Sequence, residues 1–148
     1  MNAKLTIDLK PLEGLKKSLV NKILRKAVNE AARTVRTAVK GNAQAVGRYG
    51  YLAKSIGIKV KIYKDIAVAV VGPRTKYQKN KGVYKKGKKK GQPKLIKPSK
   101  YAHFLEKGTK RSRAKPFLKP ALDSSKDEYM TALAAAIERG IAAQLAKS

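Results

Sequence analysis

The feature that most constrains this chain is a segment that cannot supply a core. Between Arg74 and Lys100 stand twelve basic residues and no acidic one, and only Val83, Leu95, Ile96, Tyr77 and Tyr84 could pack. So few apolar side chains cannot offset, by burial, the entropy of ordering so long a stretch. The fold must therefore be built from the flanks. The segment itself is expected to be an extended arm, or a long hairpin turning near Gly87 to Gly91. Its cations call for a polyanion.

The flanks carry two periodicities. Leu5, Ile7 and Leu9 alternate with polar residues as a short strand does, and Pro11 breaks the pattern. Leu12, Leu15, Leu19, Ile23, Ala27, Ala31, Val35 and Ala38 then recur three or four apart, one face of a long helix. The other face is basic, with Lys16, Lys22, Lys26, Arg33, Arg36 and Lys40. Gly41 and Gly47 mark its end, and residues 47–51 read as a loop. Ile56, Ile58, Val60 and Ile62, then Ile66, Val68 and Val70, alternate about a turn at Lys64-Asp65, which predicts an antiparallel hairpin. Ala67, Ala69 and Val71 are apolar as well, so the second strand is expected to be buried on both faces. Tyr101 to Glu106 is a short strand or a turn of helix. Pro116 and Pro120 bracket a stiff approach to a last helix striped by Leu118, Leu122, Tyr129, Leu133, Ile137, Ile141 and Leu145. Asp123, Asp127 and Glu128 come early in it and Arg139 and Lys147 late, the order a helix dipole favours. The expectation is one α+β domain over residues 1–148. It is a small antiparallel sheet packed with a long N-terminal helix and a C-terminal helix, plus an extended basic loop or hairpin arm inserted at about 74–100.

Composition narrows the function. The 36 Lys+Arg against 9 Asp+Glu give a formal charge of +27, and self-repulsion on that scale needs salt or an anionic partner to offset it. Nucleic acid, an anionic membrane and an acidic protein are the classes available. No apolar run approaches the ~20 residues that span a bilayer. The arm has no apolar face to insert, and no signal-peptide stretch follows Met1. A soluble, intracellular protein with no membrane partner is expected. The absence of cysteine excludes disulfides, thiolate zinc sites and cysteine nucleophiles.

Catalysis finds no support in the residues. His103 is the only histidine, and its aromatic and aliphatic neighbours suit a packed or interface residue. The acids are scattered, with Glu106 alone among lysines. Paired histidines, a nucleophile elbow and a glycine-lysine phosphate loop are all missing. Gly87 to Gly91 resembles the last superficially, but joins no apolar strand to a helix. We therefore expect no enzyme, no catalytic residue, no metal and no cofactor. On the arm, Lys79, Lys81, Lys85, Lys86, Lys88, Lys89, Lys90 and Lys94 are the candidates for contact with DNA or another polyanion. Lysine in place of arginine favours point-charge contact with phosphates, sensitive to salt and indifferent to base sequence. Tyr77 and Tyr84 could stack on bases.

Charge alone would fit a stand-alone nucleic-acid-binding protein of the ribosomal or chromatin-associated type. A motif points elsewhere. Tyr101-Ala-His-Phe-Leu-Glu-Lys-Gly-Thr109, followed by Ala114-Lys-Pro-Phe-Leu-Lys-Pro-Ala-Leu122, resembles the signature of the tailed-phage head–tail joining, or tail-completion, proteins of the phage neck. The Gly14 to Lys17 helix start, Leu52-Ala-Lys-Ser-Ile56 and a hairpin ending in Val70-Val-Gly72 agree with it. Val46 to Tyr51 and Lys107 depart from the family pattern. The resemblance implies structural roles for Tyr101, Phe104, Glu106, Gly108, Thr109, Pro116, Phe117 and Pro120. It further implies a virion protein at the head–tail junction, assembled in the host cytoplasm as a homo-oligomeric ring, a hexamer on our reading. The implied partners are the head connector or adaptor, the tail tube or terminator, and viral DNA held without sequence preference in the lumen.

Overall fold

The computed structural model describes residues 15–47, 50–64 and 66–147. In chain order the elements are α1 (Lys17–Val46), α2 (Tyr51–Ser55), β1 (Ile56–Tyr63), β2 (Ile66–Pro73), β3 (Lys79–Val83), β4 (Pro93–Ile96), α3 (Pro98–Lys107) and α4 (Leu118–Leu145). The α+β class expected from the sequence is the class observed. β1 pairs with β2 and β3 with β4, giving two separate two-stranded sheets. The strand expected at Leu5 to Leu9 and the helix start at Leu12 lie outside the described residues.

α1 follows its pattern. Ile23, Ala27, Ala31, Val35, Val39 and Ala43 are buried at intervals of four, with Val28 and Ala32 beside them. Gly41 does not end the helix, contrary to expectation. It sits exposed between the buried Val39 and Ala43, and their burial outweighs the ~1 kcal/mol that a mid-helix glycine costs. Gly47 is the actual stop. Its N–H reaches the Ala43 carbonyl at 3.0 Å, and a Cβ there would lie 2.8 Å from the same oxygen.

The chain divides into two compact units. One comprises Met1–Arg36, Ile58–Val71 and Asp123–Ser148. Its core joins Ala27, Val28 and Ala31 of α1 to Leu133, Ala136 and Ile137 of α4, with Val60, Ala67 and Ala69 of the β1–β2 sheet packed against them. Small side chains let the helices approach closely, and a Cβ on Gly140 would come within 2.7 Å of Ile23 Cγ2. An exposed ion pair, Arg139 to Glu30 at 2.6 Å, joins the same helices; such pairs contribute at most about 1 kcal/mol. The sheet corrects a second expectation. Ala67 and Ala69 face the helices, whereas Ile66, Val68 and Val70 are exposed. β2 is buried on one face only, because the helices cover one side of the sheet. Lys64, with φ 45, makes the tight turn between the strands.

The other unit comprises Thr37–Gly57 and Gly72–Leu122. The loop expected at 47–51 gives way to helix at Tyr51, after Gly50 in the left-handed conformation with φ 67. α2 ends at the buried Ser55, whose hydroxyl donates to the Leu52 carbonyl at 2.6 Å. The Ser55 carbonyl accepts from the Arg74 backbone N–H at 2.9 Å and from Arg74 Nε at 3.4 Å. The Arg74 chain lies so close over Gly57 that a Cβ there would meet its Cδ at 2.6 Å. Arg74 is thus a structural residue. Tyr101 to Glu106, open between strand and helix on sequence, lies inside α3. Pro98 starts that helix with its preset φ, and Gly108 closes it at φ 75.

Candidate functional site

The basic segment forms a hairpin with almost no buried surface. β3 pairs antiparallel with β4, Lys79 opposite Ile96, Asn80 opposite Leu95 and Val83 opposite Pro93, with a register shift between Asn80 and Val83. Gly82 occupies that irregularity at φ 101, its N–H held by Asn80 Oδ1 at 2.9 Å. Backbone bonds continue past the strands. Tyr84 donates to the Gln92 carbonyl at 3.0 Å, and Gly91 donates to the Tyr84 carbonyl at 2.9 Å. Gly87 and Gly91, at φ 78 and 82, turn the tip, because only glycine adopts such angles without strain. Ladder bonds and turn geometry order the segment where apolar burial could not.

All eight candidate lysines, Lys79, Lys81, Lys85, Lys86, Lys88, Lys89, Lys90 and Lys94, are exposed on this hairpin, five of them at its tip. The Nζ atoms of Lys89 and Lys94 lie 5.9 and 5.8 Å from the centre of the Tyr84 ring, within cation–π range. An open groove of about 490 Å³ runs from Tyr84 and Lys89 to Lys97, Lys100 and Tyr101. Sequence reasoning did not single out Lys97 and Lys100 as contact residues. The available signal was Pro98, which starts α3 there and so sets both lysines beside the base of the hairpin. Burial, and secondarily Tyr77, raises the Tyr101 hydroxyl above its ordinary pKa.

The motif residues do a separate job. Glu106 Oε2 accepts the N–H groups of Phe117 at 2.8 Å and Leu118 at 3.0 Å, and Oε1 accepts that of Lys119 at 3.0 Å. Those are the leading donors of α4, which a helix cannot satisfy internally. The next residue, Pro120, has no N–H to satisfy. Pro120 therefore lies in the first turn of α4 and not ahead of it. Burial pushes the Glu106 carboxyl up, but the three backbone donors outweigh it and hold the group below the usual glutamate range. Gly108 lets the chain turn where a Cβ would lie 2.7 Å from the Ala114 nitrogen. Thr109 Oγ1 accepts from the Arg111 and Ser112 N–H groups at 3.2 and 3.1 Å and shapes the loop. Phe117 is completely buried, whereas Phe104 is exposed and lies tilted at 42° against the exposed His103, with 3.8 Å between ring centres. Tyr101 is half-buried and Pro116 exposed.

Residues 9–108, about two thirds of the chain, match the model of the HK97-gp10-like family, described as "Bacteriophage HK97-gp10, putative tail-component". The chain belongs to this family. The match runs through the basic hairpin and ends at Gly108, so it includes Glu106 but not the α4 N–H groups that Glu106 binds. No curated protein and no solved structure matches the chain. Membership of the HK97-gp10-like family makes this a phage tail component, associated with the virion and its assembly. Among the described residues no group of His, Cys, Asp and Glu could hold a metal, and no helix is long and apolar enough to cross a membrane.

Proposed function

We propose that this tail component is a non-catalytic protein of the phage neck. It completes the tail, joins it to the head connector, and forms a ring around the channel through which DNA passes. The observation that carries the reading is the β3–β4 hairpin: eight exposed lysines on a glycine-turned ladder, within the span that matches a phage tail family. A surface of that charge inside a DNA channel would hold phosphates without reading bases, and would exchange contacts as DNA moves. Its direct partners would be further copies of itself, the connector or adaptor on one side and the tail tube or terminator on the other. Tyr101, Glu106, Gly108, Thr109, Phe117 and Pro120 serve the scaffold, not the contact.

The test is a phage in which residues 79–96 are replaced by a short glycine-serine linker. The isolated variant should melt at nearly the wild-type temperature, while particles should lose genome retention or fail to join heads to tails. Unchanged assembly and infectivity would remove the hairpin from the function. Tight, salt-sensitive DNA binding by a monomer that never enters particles would favour the stand-alone nucleic-acid-binding reading.

A further inference from the structure

Two surfaces of the unit built from α1, α4 and the β1–β2 sheet have no covering among its described residues. The first is the outer face of the sheet. Tyr63, Ile66, Val68 and Val70 are 54, 65, 38 and 57% exposed there, on the opposite side of the strands from Val60, Ala67 and Ala69, which pack on the helices. Lys59 and Lys61 alternate onto the same outer face, and Lys61 Nζ lies 5.8 Å from the centre of the Tyr63 ring. An apolar face of this kind with charged neighbours marks a protein interface more often than idle surface. Among the described residues its charge is entirely positive.

The second surface is the outward side of α4. At about 100° per residue, Tyr129, Leu133, Ala136 and Ile137 point into the core. Asp127, Glu128 and Glu138 fall on the opposite side, all exposed. No lysine or arginine of α4 lies between these acids, although basic residues outnumber acidic ones fourfold in the chain. Arg139, which borders the arc beside Glu128, is paired with Glu30 of α1. Leu145, 63% exposed, and the exposed Ala135 and Ala142 lie among the acids. The arc therefore has an apolar floor with a negative rim, where the sheet has an apolar floor with a positive one.

We propose that these two surfaces meet between copies: the outer β1–β2 face of one chain docks on the acidic face of α4 in the next. This rests on the ring reading above and names the surfaces that make the ring. Charge decides the occupant and the geometry. A two-fold contact centred on either face would set lysines against lysines or acids against acids, which costs free energy. A head-to-tail contact pairs opposite signs, and because the surfaces are different, each copy keeps one of each for its neighbours, as closure of a ring requires.

The chain has no cysteine, so thiols can be placed at will. Full-length Lys61→Cys, Asp127→Cys and the double variant would be treated with a flexible bis-maleimide, under conditions where native mass spectrometry shows the wild-type oligomer. The double variant should give a ladder of covalent multimers, and neither single variant should give dimers. Dimers from either single variant alone would show a two-fold contact and overturn the proposal. Absence of a ladder from a wild-type-like oligomer would overturn the contact but leave the ring standing. A wild-type protein that is monomeric both alone and in particles would overturn both. As a second measure, Lys59→Glu with Lys61→Glu, or Asp127→Lys with Glu138→Lys, should each weaken association at least about tenfold. An equimolar mixture of the two variants should restore multimers in which they alternate, since each variant's sheet face then meets an α4 face of opposite sign on the other. If neither variant changes the oligomer, the contact lies elsewhere.

Discussion

At the scale of single residues, Glu106 has the clearest consequences. It supplies to α4 what a local cap normally supplies, from eleven residues upstream of the first N–H it binds. Losing a cap costs about 0.5–2 kcal/mol, and partial solvent exposure places this one toward the low end. Glu106→Gln should lower stability by about 1 kcal/mol at neutral pH, read from denaturant melts. The pH dependence has a definite sign. The folded carboxyl is held below its unfolded value, so its contribution is complete above the ordinary glutamate range and is lost as pH falls through the lowered folded value. The wild-type advantage over Glu106→Gln should therefore shrink on acidification, and a gap that widens would show the bonds are not to carboxylate. Gly108→Ala should be worse. It combines a left-handed φ of 75 with a Cβ 2.7 Å from a backbone nitrogen, and a loss of about 1–3 kcal/mol is expected, visible as a lower melting temperature.

At the scale of elements, packing and charge separate cleanly. Ile137 is 2% exposed in the core between α1 and α4. Ile137→Ala should cost about 2–5 kcal/mol in denaturant unfolding. Changing Lys85, Lys86, Lys88, Lys89 and Lys90 to Gln touches no core and should leave the melt nearly unchanged. The same change should flatten the dependence of DNA affinity on salt by several units of slope; an unaltered slope would place the phosphate contacts elsewhere. The periodic elements were legible in the sequence for the reason that these predictions differ. α1, α4 and the β1–β2 hairpin each bury a stripe, and a stripe leaves a period, although Leu122 and Leu145, read as part of the α4 stripe, are exposed beyond the reach of the core. β2 misled because its exposed face is as apolar as its buried one, so no pattern records which side the helices cover. Gly41 misled because glycine signals an end only where packing does not override it. The β3–β4 ladder rests on backbone bonds and positive-φ glycines, of which only the glycines show in sequence. The partnership of Glu106 with α4 joins residues eleven to thirteen apart across a loop, and no periodicity encodes that.

For the whole molecule the dominant quantity is the charge of +27. Self-repulsion on that scale destabilises a compact chain until something anionic offsets it. Duplex DNA of arbitrary sequence should raise the melting temperature at low ionic strength, by mass action on the folded state, and the rise should vanish as salt is added. A rise that survives high salt, or depends on base sequence, would mean that the contacts are not to phosphate alone. The candidate contact lysines on the hairpin belong to the visible part of this behaviour, since a run of cations without acids is plain in any reading. Lys97 and Lys100 joined them only once α3 was seen to start at Pro98.

The clasp made by Glu106 has a further consequence, for what happens when the backbone is cut. The loop between α3 and α4 presents Lys110, Arg111 and Arg113 to solvent, sites open to a trypsin-like protease. A nick there removes a peptide bond but none of the three hydrogen bonds between the carboxylate and the first turn of α4. Fragments cut at Arg111 should therefore stay together and separate only in denaturant or strong acid. A tail component would in this way survive cleavage at this exposed loop.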